Sequence, residues 1–144
     1  MALVTPDELF RRGLLLGGFN GARIDNVSRS TSLARFRSLN GSNPIVYAEI
    51  WQDLQTTDIL DARITTGGVF VNLDSFLLAI YFLNCYPTEP QLAATFKVCE
   101  KTARKCCWFF AKKVQALKAA KVSSLLHSSS LNVAVRLTIM LSCC

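Results

Sequence analysis

The sequence contains little of what metal or catalytic chemistry requires. His127 is its single histidine, and no two of its cysteines have the C-x-x-C spacing that zinc ribbons and thiol redox motifs share. We therefore expect no metal site and no cofactor. No nucleophile–base pair, paired carboxylates or phosphate loop can be recognised either, because Gly67-Gly68 alone indicates only a turn. These absences predict a protein that is not an enzyme and has no small-molecule substrate.

Long hydrophobic segments are also missing. The longest apolar run covers residues 76–83, far short of the roughly 20 residues that span a bilayer. The opening residues, MALVTPDELF, contain acidic side chains and Pro6 rather than the pattern of a secretory leader. We therefore expect no membrane association and a reduced intracellular environment, in which disulfides are not favoured. Six cysteines are present: Cys85, Cys99, Cys106, Cys107, Cys143 and Cys144. Of these, Cys106 and Cys107 are expected to be small apolar core residues.

What is present predicts an all-α fold, a small helical bundle with one core. The 144 residues are 51% hydrophobic and 18% charged, which argues against disorder. Apolar side chains recur at helical spacing between Asn, Thr and Pro start signals and Gly stop signals. The helix at residues 72–85 is apolar on nearly all sides and is therefore expected at the centre of the bundle. Helices are predicted over residues 6–16, 33–39, 44–55, 72–85, 88–96 and 100–118.

The same patterns predict three segments along the chain. Residues 1–31 are expected to hold a loosely attached helix followed by a flexible, polar linker over residues 19–32. Residues 32–121 form the predicted helical domain, with a loop over residues 57–71. Residues 122–144 form a poorly specified tail, because apolar and polar side chains alternate there with strand periodicity and no comparable strand exists to pair with it.

Residues 88–118 have the pattern of a helix-turn-helix. Thr88 and Gln91 have capping-box spacing, and the second helix is longer and basic. Two positions depart from the ideal pattern. Lys97 stands where a turn that needs positive φ favours glycine, and Cys99 stands where serine or threonine would cap better. An ordinary helical hairpin with a solvated charged face is the alternative interpretation.

Charge of one sign is concentrated in this motif. Residues 97–121 contain eight basic side chains and one acidic side chain, Glu100, whereas the remainder of the chain contains eight basic and nine acidic ones. The whole net charge of +6 therefore arises from the second helix and its flanks. Such a footprint predicts phosphate binding. An anionic membrane surface and an acidic protein partner are the alternatives.

Five basic residues are the candidate DNA-binding side chains. Arg104 is the candidate for a base edge, because its planar fork can pair bidentately with guanine, and Lys97, Lys101 and Lys105 are candidates for phosphate contacts. Trp108 is expected to close the core from its rim, and stacking on a base is the alternative for this side chain. The complete set is Lys97, Lys101, Arg104, Lys105 and Lys112.

Residues 35–122 resemble the region that precedes the catalytic domain in Harbinger-like DDE transposases and their domesticated relatives. The resemblance rests on the junction Tyr86-Pro87-Thr88-Glu89, the turn Glu100-Lys101-Thr102 and the run Trp108-Phe109-Phe110. It implies a helix-turn-helix that binds transposon-end duplex DNA in the nucleus. In that family an RNase H-like nuclease domain with three acidic metal ligands then follows.

Residues 123–144 contain no acidic residue, so the first catalytic aspartate of that family has no counterpart there. The resemblance therefore implies DNA binding without catalysis, as in a truncated or frame-shifted remnant. A helical interaction or structural domain, whose basic helix binds an acidic protein or a second copy of the chain, is the alternative function.

Overall fold

The computed structural model describes residues 3–56 and 71–125, with the side chains of residues 124 and 125 excepted. Every regular element in these two stretches is helical, so the predicted all-α bundle is confirmed. The helices are α1 (Pro6–Leu16), α2 (Gly21–Asp25), α3 (Arg29–Asn40), α4 (Pro44–Thr56), α5 (Leu73–Cys85), α6 (Glu89–Phe96) and α7 (Glu100–Leu125).

Helix α5 lies at the centre of the main core, as its apolar sequence predicts. The Phe76 side chain is fully buried, and its ring packs against those of Tyr47 and Trp51 on α4 and Phe110 on α7. The four rings join three helices at centroid separations of 5.2–6.5 Å, within the range at which aromatic pairs attract. The predicted buried stripe of α4 and the buried positions on α5 and α7 are confirmed: Val46, Tyr47, Ile50, Trp51, Leu54, Phe76, Ile80, Phe110 and Val114.

The start signals read from the sequence act as caps. The side chains of Thr5 and Asn72 accept hydrogen bonds from the backbone N–H groups of Glu8 (3.1 Å) and Ser75 (2.8 Å). Asn43 accepts from the N–H of Ile45 at 3.1 Å. Each bond satisfies a donor that the first turn of a helix would otherwise leave unpaired, which is why these starts can be located from sequence alone.

Helix α1 is packed into the core, so the prediction that it is loosely attached is wrong. Leu9 and Leu14 on α1 are buried in the main core. Gly13, also on α1, lies so close to Phe36 on α3 that a Cβ there would be 2.4 Å from the ring. The apolar spacing of α1 therefore builds an interface with α3, and a division at residue 31 would separate two helices that share one core.

The predicted linker also contains helical structure. Asn20 caps α2 through the Arg23 N–H (3.0 Å), and Ser28 caps α3 through the Thr31 N–H (3.3 Å). Phe19 and Ile24 pack against the main core. Polar composition concealed these elements, because their starts depend on local side-chain caps rather than on a repeated apolar pattern.

Two aromatic side chains differ from expectation. Trp108, expected in the core, is 65% exposed, and Phe96, expected to be buried, is half-buried against Tyr81. Helix α7 also extends beyond the predicted end at residue 118 to Leu125. The predictions for the loop over residues 57–70 and for the tail after residue 125 lie outside the described residues. Within the described stretches, none of the helices has the length and apolar character needed to cross a bilayer.

Candidate nucleic-acid interface

Helices α6 and α7 are joined by a turn of three residues, 97–99, and occupy the positions of the two helices of the predicted helix-turn-helix. The Gln91 side chain accepts a hydrogen bond from the Thr88 N–H at 3.0 Å, as the capping-box spacing predicts. Lys97 ends α6 with φ 54°, in the left-handed region. The turn therefore does require the positive φ for which glycine is favoured, and this lysine occupies it at a cost.

A second core cluster fixes α6 against α7. It is formed by Leu78 on α5, Leu92 on α6, and Ala103, Cys106 and Cys107 on α7. The two cysteines behave as small apolar residues, as predicted, and burial raises the pKa of both thiols, that of Cys107 to about 12. These thiols are therefore neutral and unreactive at physiological pH. Elsewhere in the described stretches, too, no three His, Cys, Asp or Glu side chains converge as a metal site would require.

The outward side of α7 presents three lysines and a tryptophan on one face. Lys101, Lys105, Trp108 and Lys112 are separated by steps of four, three and four residues, so they lie above one another along the helix. All four are exposed. They lie opposite the buried side chains of α7, which are Ala103, Cys106, Phe110, Val114 and Leu117. We call these four side chains the lysine face.

Arg104 is held by an acidic residue of the neighbouring helix. Its Nε donates to Glu89 Oε1 at 2.6 Å, and its second terminal nitrogen donates to Glu89 Oε2. This bidentate pair links the first turn of α7 to the first turn of α6. The hydrogen bond from Arg104 holds the pKa of Glu89 below its ordinary value, and the reciprocal bond raises that of Arg104. The fork expected to read guanine is thus engaged by a carboxylate in this structure.

Cys99 replaces a hydroxyl-bearing cap without leaving the start of α7 unsupported. Its Sγ lies 2.9 Å from the Thr102 Oγ1, and its carbonyl accepts from the Ala103 N–H at 2.9 Å. The Thr102 side chain, followed by the Thr102 backbone, lowers the pKa of the Cys99 thiol. Thr102 therefore compensates in part for the weaker capping residue predicted from the sequence.

The five predicted DNA-binding residues divide into two groups. Lys101, Lys105 and Lys112 share the lysine face, whereas Lys97 is exposed in the turn that precedes it. Arg104 is exposed but directed to Glu89. The role of Glu89 has no signal in the linear sequence, because the pair joins residues 15 positions apart on two helices.

Two other lysines of α7, Lys113 and Lys121, lie towards the body of the bundle. Lys121 pairs with Asp53 on α4 at 2.7 Å, and Lys113 lies 5.4 Å from the centroid of the Phe109 ring. Both are half-buried. Positive charge on α7 is therefore partly neutralised on its flanks, while the lysine face is directed outward.

No protein-family model, curated protein or solved structure matches this chain, so the geometry and chemistry of the helix-turn-helix carry the functional argument.

Proposed function

We propose that this chain binds duplex DNA through the helix-turn-helix formed by α6 and α7. The observation that supports the proposal is the lysine face, three exposed lysines along one side of α7 in a segment with eight basic and one acidic residue. Duplex DNA presents closely spaced phosphates that are covered by bound counterions. Positive side chains on an exposed helix release these counterions, and the release favours binding.

The first turns of α7 supply the proposed phosphate contacts. Lys101 and Lys105 lie close to the amino end of the helix, where the backbone dipole also favours an anion. Lys101 and Lys112 are separated by about 16 Å along the axis, at about 1.5 Å per residue. That distance exceeds the roughly 12 Å width of the major groove. Lysines at the two ends of the face can therefore reach the backbones on either side, and Lys97 extends the contact from the turn.

In the proposed complex Arg104 exchanges Glu89 for a base edge. An exposed ion pair contributes little to stability because water screens both charges, and Arg104 and Glu89 are 58% and 36% exposed. A guanine offers the same fork two acceptors in a similar plane. Glu89 thus holds Arg104 in position before DNA arrives, and removal of Arg104 is expected to cost ~1–3 kcal/mol on the preferred sequence only.

The resemblance to Harbinger-like transposases specifies the proposal further. It favours transposon-end-like duplex DNA as the ligand and the nucleus as the location, with binding rather than catalysis as the activity. The alternative is an interaction module whose basic helix binds an acidic protein.

A salt titration of DNA binding tests the proposal. Affinity of the full chain for a labelled duplex is measured by fluorescence anisotropy at several salt concentrations. The Lys101→Ala/Lys105→Ala variant is expected to bind all sequences more weakly, with a salt slope flatter by about two units and an affinity about 60-fold lower at 0.1 M salt. The matched control is Arg11→Ala/Arg29→Ala, which removes two exposed arginines that already pair with aspartates and is expected to leave the slope unchanged.

A competition experiment distinguishes binding to DNA phosphates from binding to the carboxylates of an acidic protein. Unlabelled duplex is expected to displace the labelled DNA at far lower charge concentration than polyglutamate does. If a folded Lys101→Ala/Arg104→Ala/Lys105→Ala variant binds DNA with the parent affinity and slope, α7 is not the DNA-binding helix and the interaction-module alternative replaces the proposal.

A further inference from the structure

An open apolar groove lies between the carboxyl half of α5 and the middle and end of α7. Its volume is about 1000 Å³. Phe82 and Tyr86 form one wall, and Trp108, Ala111, Ala119 and Val122 contribute to the other. Tyr86, Trp108 and Val122 are 54%, 65% and 42% exposed. Half of the exposed large hydrophobic side chains in the described residues thus border one groove, and such clustering is characteristic of an interaction site.

The groove is open because α6 is short. Helix α6 has eight residues and covers the first turns of α7, where Glu89 holds Arg104 and Leu92 shares a cluster with Ala103. Helix α7 continues for 26 residues. Its side beyond Cys107 therefore extends past α6, next to the end of α5, with small side chains at Ala111 and Ala119 that leave room for another element.

Charge at the groove has one sign. Among the described residues that line the groove, Lys112 and Lys118 are basic and none is an aspartate or glutamate. An apolar floor with basic side chains at the rim matches a helix that has an apolar stripe flanked by acidic residues. The groove extends from Cys107 to Val122 along α7, about 22 Å at about 1.5 Å per residue, which corresponds to roughly four turns of a bound helix.

A second copy of this chain fits that description less well. Five of its ten acidic residues already pair with basic side chains in the described structure: Asp7, Asp25, Asp53, Asp74 and Glu89. The occupant is therefore expected to be a different protein that brings its own acidic residues.

We propose that this groove binds an amphipathic, acidic helix of a partner protein. The apolar stripe of the partner packs against Phe82, Tyr86 and Trp108, and its flanking carboxylates pair with Lys112 and Lys118. This goes beyond the proposed DNA binding, because the groove uses the later turns of α7 whereas Lys101 and Lys105 lie in the first turns. The two ligands share Lys112 at the boundary.

A designed peptide tests the groove. The probe is a fluorescein-labelled 18-residue peptide with leucine at helical positions i, i+4, i+7, i+11 and glutamate between them. Saturable binding to the full chain is expected by anisotropy. A peptide with lysine in place of glutamate, and one of the same composition in scrambled order, are expected to bind at least tenfold more weakly.

Variants of two residues that line the groove locate the binding. Trp108→Ala and Lys118→Glu are each expected to weaken peptide binding at least tenfold, with unchanged circular dichroism. Ile45→Ala is the matched control, because Ile45 is 52% exposed on α4 and does not line the groove. The Lys101→Ala/Lys105→Ala variant is expected to keep its peptide affinity while losing DNA affinity, so failure of either proposal is recognised separately.

Several results would overturn the inference. They are absence of peptide binding, equal binding of the lysine or scrambled peptide, and unchanged binding by both groove variants. Trp108-dependent self-association in sedimentation velocity would identify a second copy as the occupant. Full protection of Trp108 from acrylamide in the free chain would show that the groove is already covered without a partner.

Discussion

The amino-terminal helices and the lysine face of α7 use exposed basic residues in different ways. In the first region, Arg11, Arg12 and Arg29 each donate to an aspartate, Asp25, Asp74 and Asp7 respectively, at 3.2, 2.6 and 2.6 Å. Each of these pairs joins two different helices: α1 and α2, α1 and α5, and α3 and α1, respectively. On α7, the lysine face is directed away from the bundle and carries three like charges in succession.

The difference shows that one fold can place basic side chains in ion pairs between its own helices and others on a surface that faces outward. Exposed ion pairs contribute little stability, but they neutralise charge and orient neighbouring helices. Charge of one sign concentrated on one helix face costs self-repulsion, and it becomes favourable when a polyanion binds. The same type of side chain therefore serves assembly in one region and, in our proposal, recognition in the other.

The largest expected effect on stability lies in the amino-terminal region. Gly13→Ala places a Cβ 2.4 Å from the buried Phe36 ring, and the interface between α1 and α3 must open. We expect a loss of about 1–3 kcal/mol, which outweighs the gain in helix propensity. Urea denaturation measures it.

Gly21→Ala is the matched control for that substitution. Gly21 is also helical, and a Cβ there would meet nothing closer than 3.8 Å. A stability equal to or above that of the parent is expected. Equal behaviour of the two alanine variants would mean that α1 does not pack against α3 as described.

Glu89→Gln is expected to release Arg104 from its ion pair within the protein, so that its guanidinium can contact DNA. Without the carboxylate, Arg104 no longer has to leave its ion pair before it contacts a base edge, so affinity for the preferred sequence is expected to rise by about 1 kcal/mol or less. The salt slope, which reports phosphate contacts, is expected to stay unchanged. The same substitution in an Arg104→Ala background is expected to give a clearly smaller gain. Equal gains in both backgrounds would contradict the exchange.

The pH dependence of this pair follows from the direction of its pKa shifts. The pKa of Glu89 is lower in the folded chain than in the unfolded one, because Arg104 donates to its carboxylate. The contribution of the pair is therefore present above the ordinary glutamate pKa and is lost as the pH falls through the folded-state value. NMR titration is expected to show a low Glu89 pKa that returns towards the ordinary value in Arg104→Ala.

Lys97→Gly is expected to separate stability from binding within the turn. Glycine adopts the left-handed conformation at φ 54° without the steric cost of a side chain. A gain of about 1 kcal/mol in unfolding free energy is expected, together with loss of one phosphate contact. Lys97→Ala is expected to lose the contact without the gain, and equal stability of the two variants would show that the turn is unstrained.

The smallest effect is expected at Arg29. Its pair with Asp7 is exposed on both sides, at 69% and 74%, so Arg29→Ala is expected to change stability by less than ~1 kcal/mol and DNA affinity not at all. Thermal unfolding and the same anisotropy titration measure both. A marked loss of DNA binding would place the interface on the amino-terminal helices and end the contrast between the two regions.

Local signals determined much of the fold. The caps at Thr5, Asn72 and Thr88, and the apolar spacing of α4, α5 and α7, depend on residues within four positions of one another. Such interactions are legible in a linear sequence, since a helix brings positions i, i+3 and i+4 together. The same periodicity places Lys101, Lys105 and Lys112 on one face of α7, opposite its buried side chains.

Tertiary contacts decided the rest. Three features depend on where a second helix lies. They are the pair of Arg104 with Glu89, the contact of Gly13 with Phe36, and the position of Trp108 at an open groove. Periodicity assigns a residue to a face of its own helix but does not say whether another helix covers that face. Helix α6 is too short to cover the later turns of α7, and only the packing of three helices reveals that a large aromatic side chain stays exposed there.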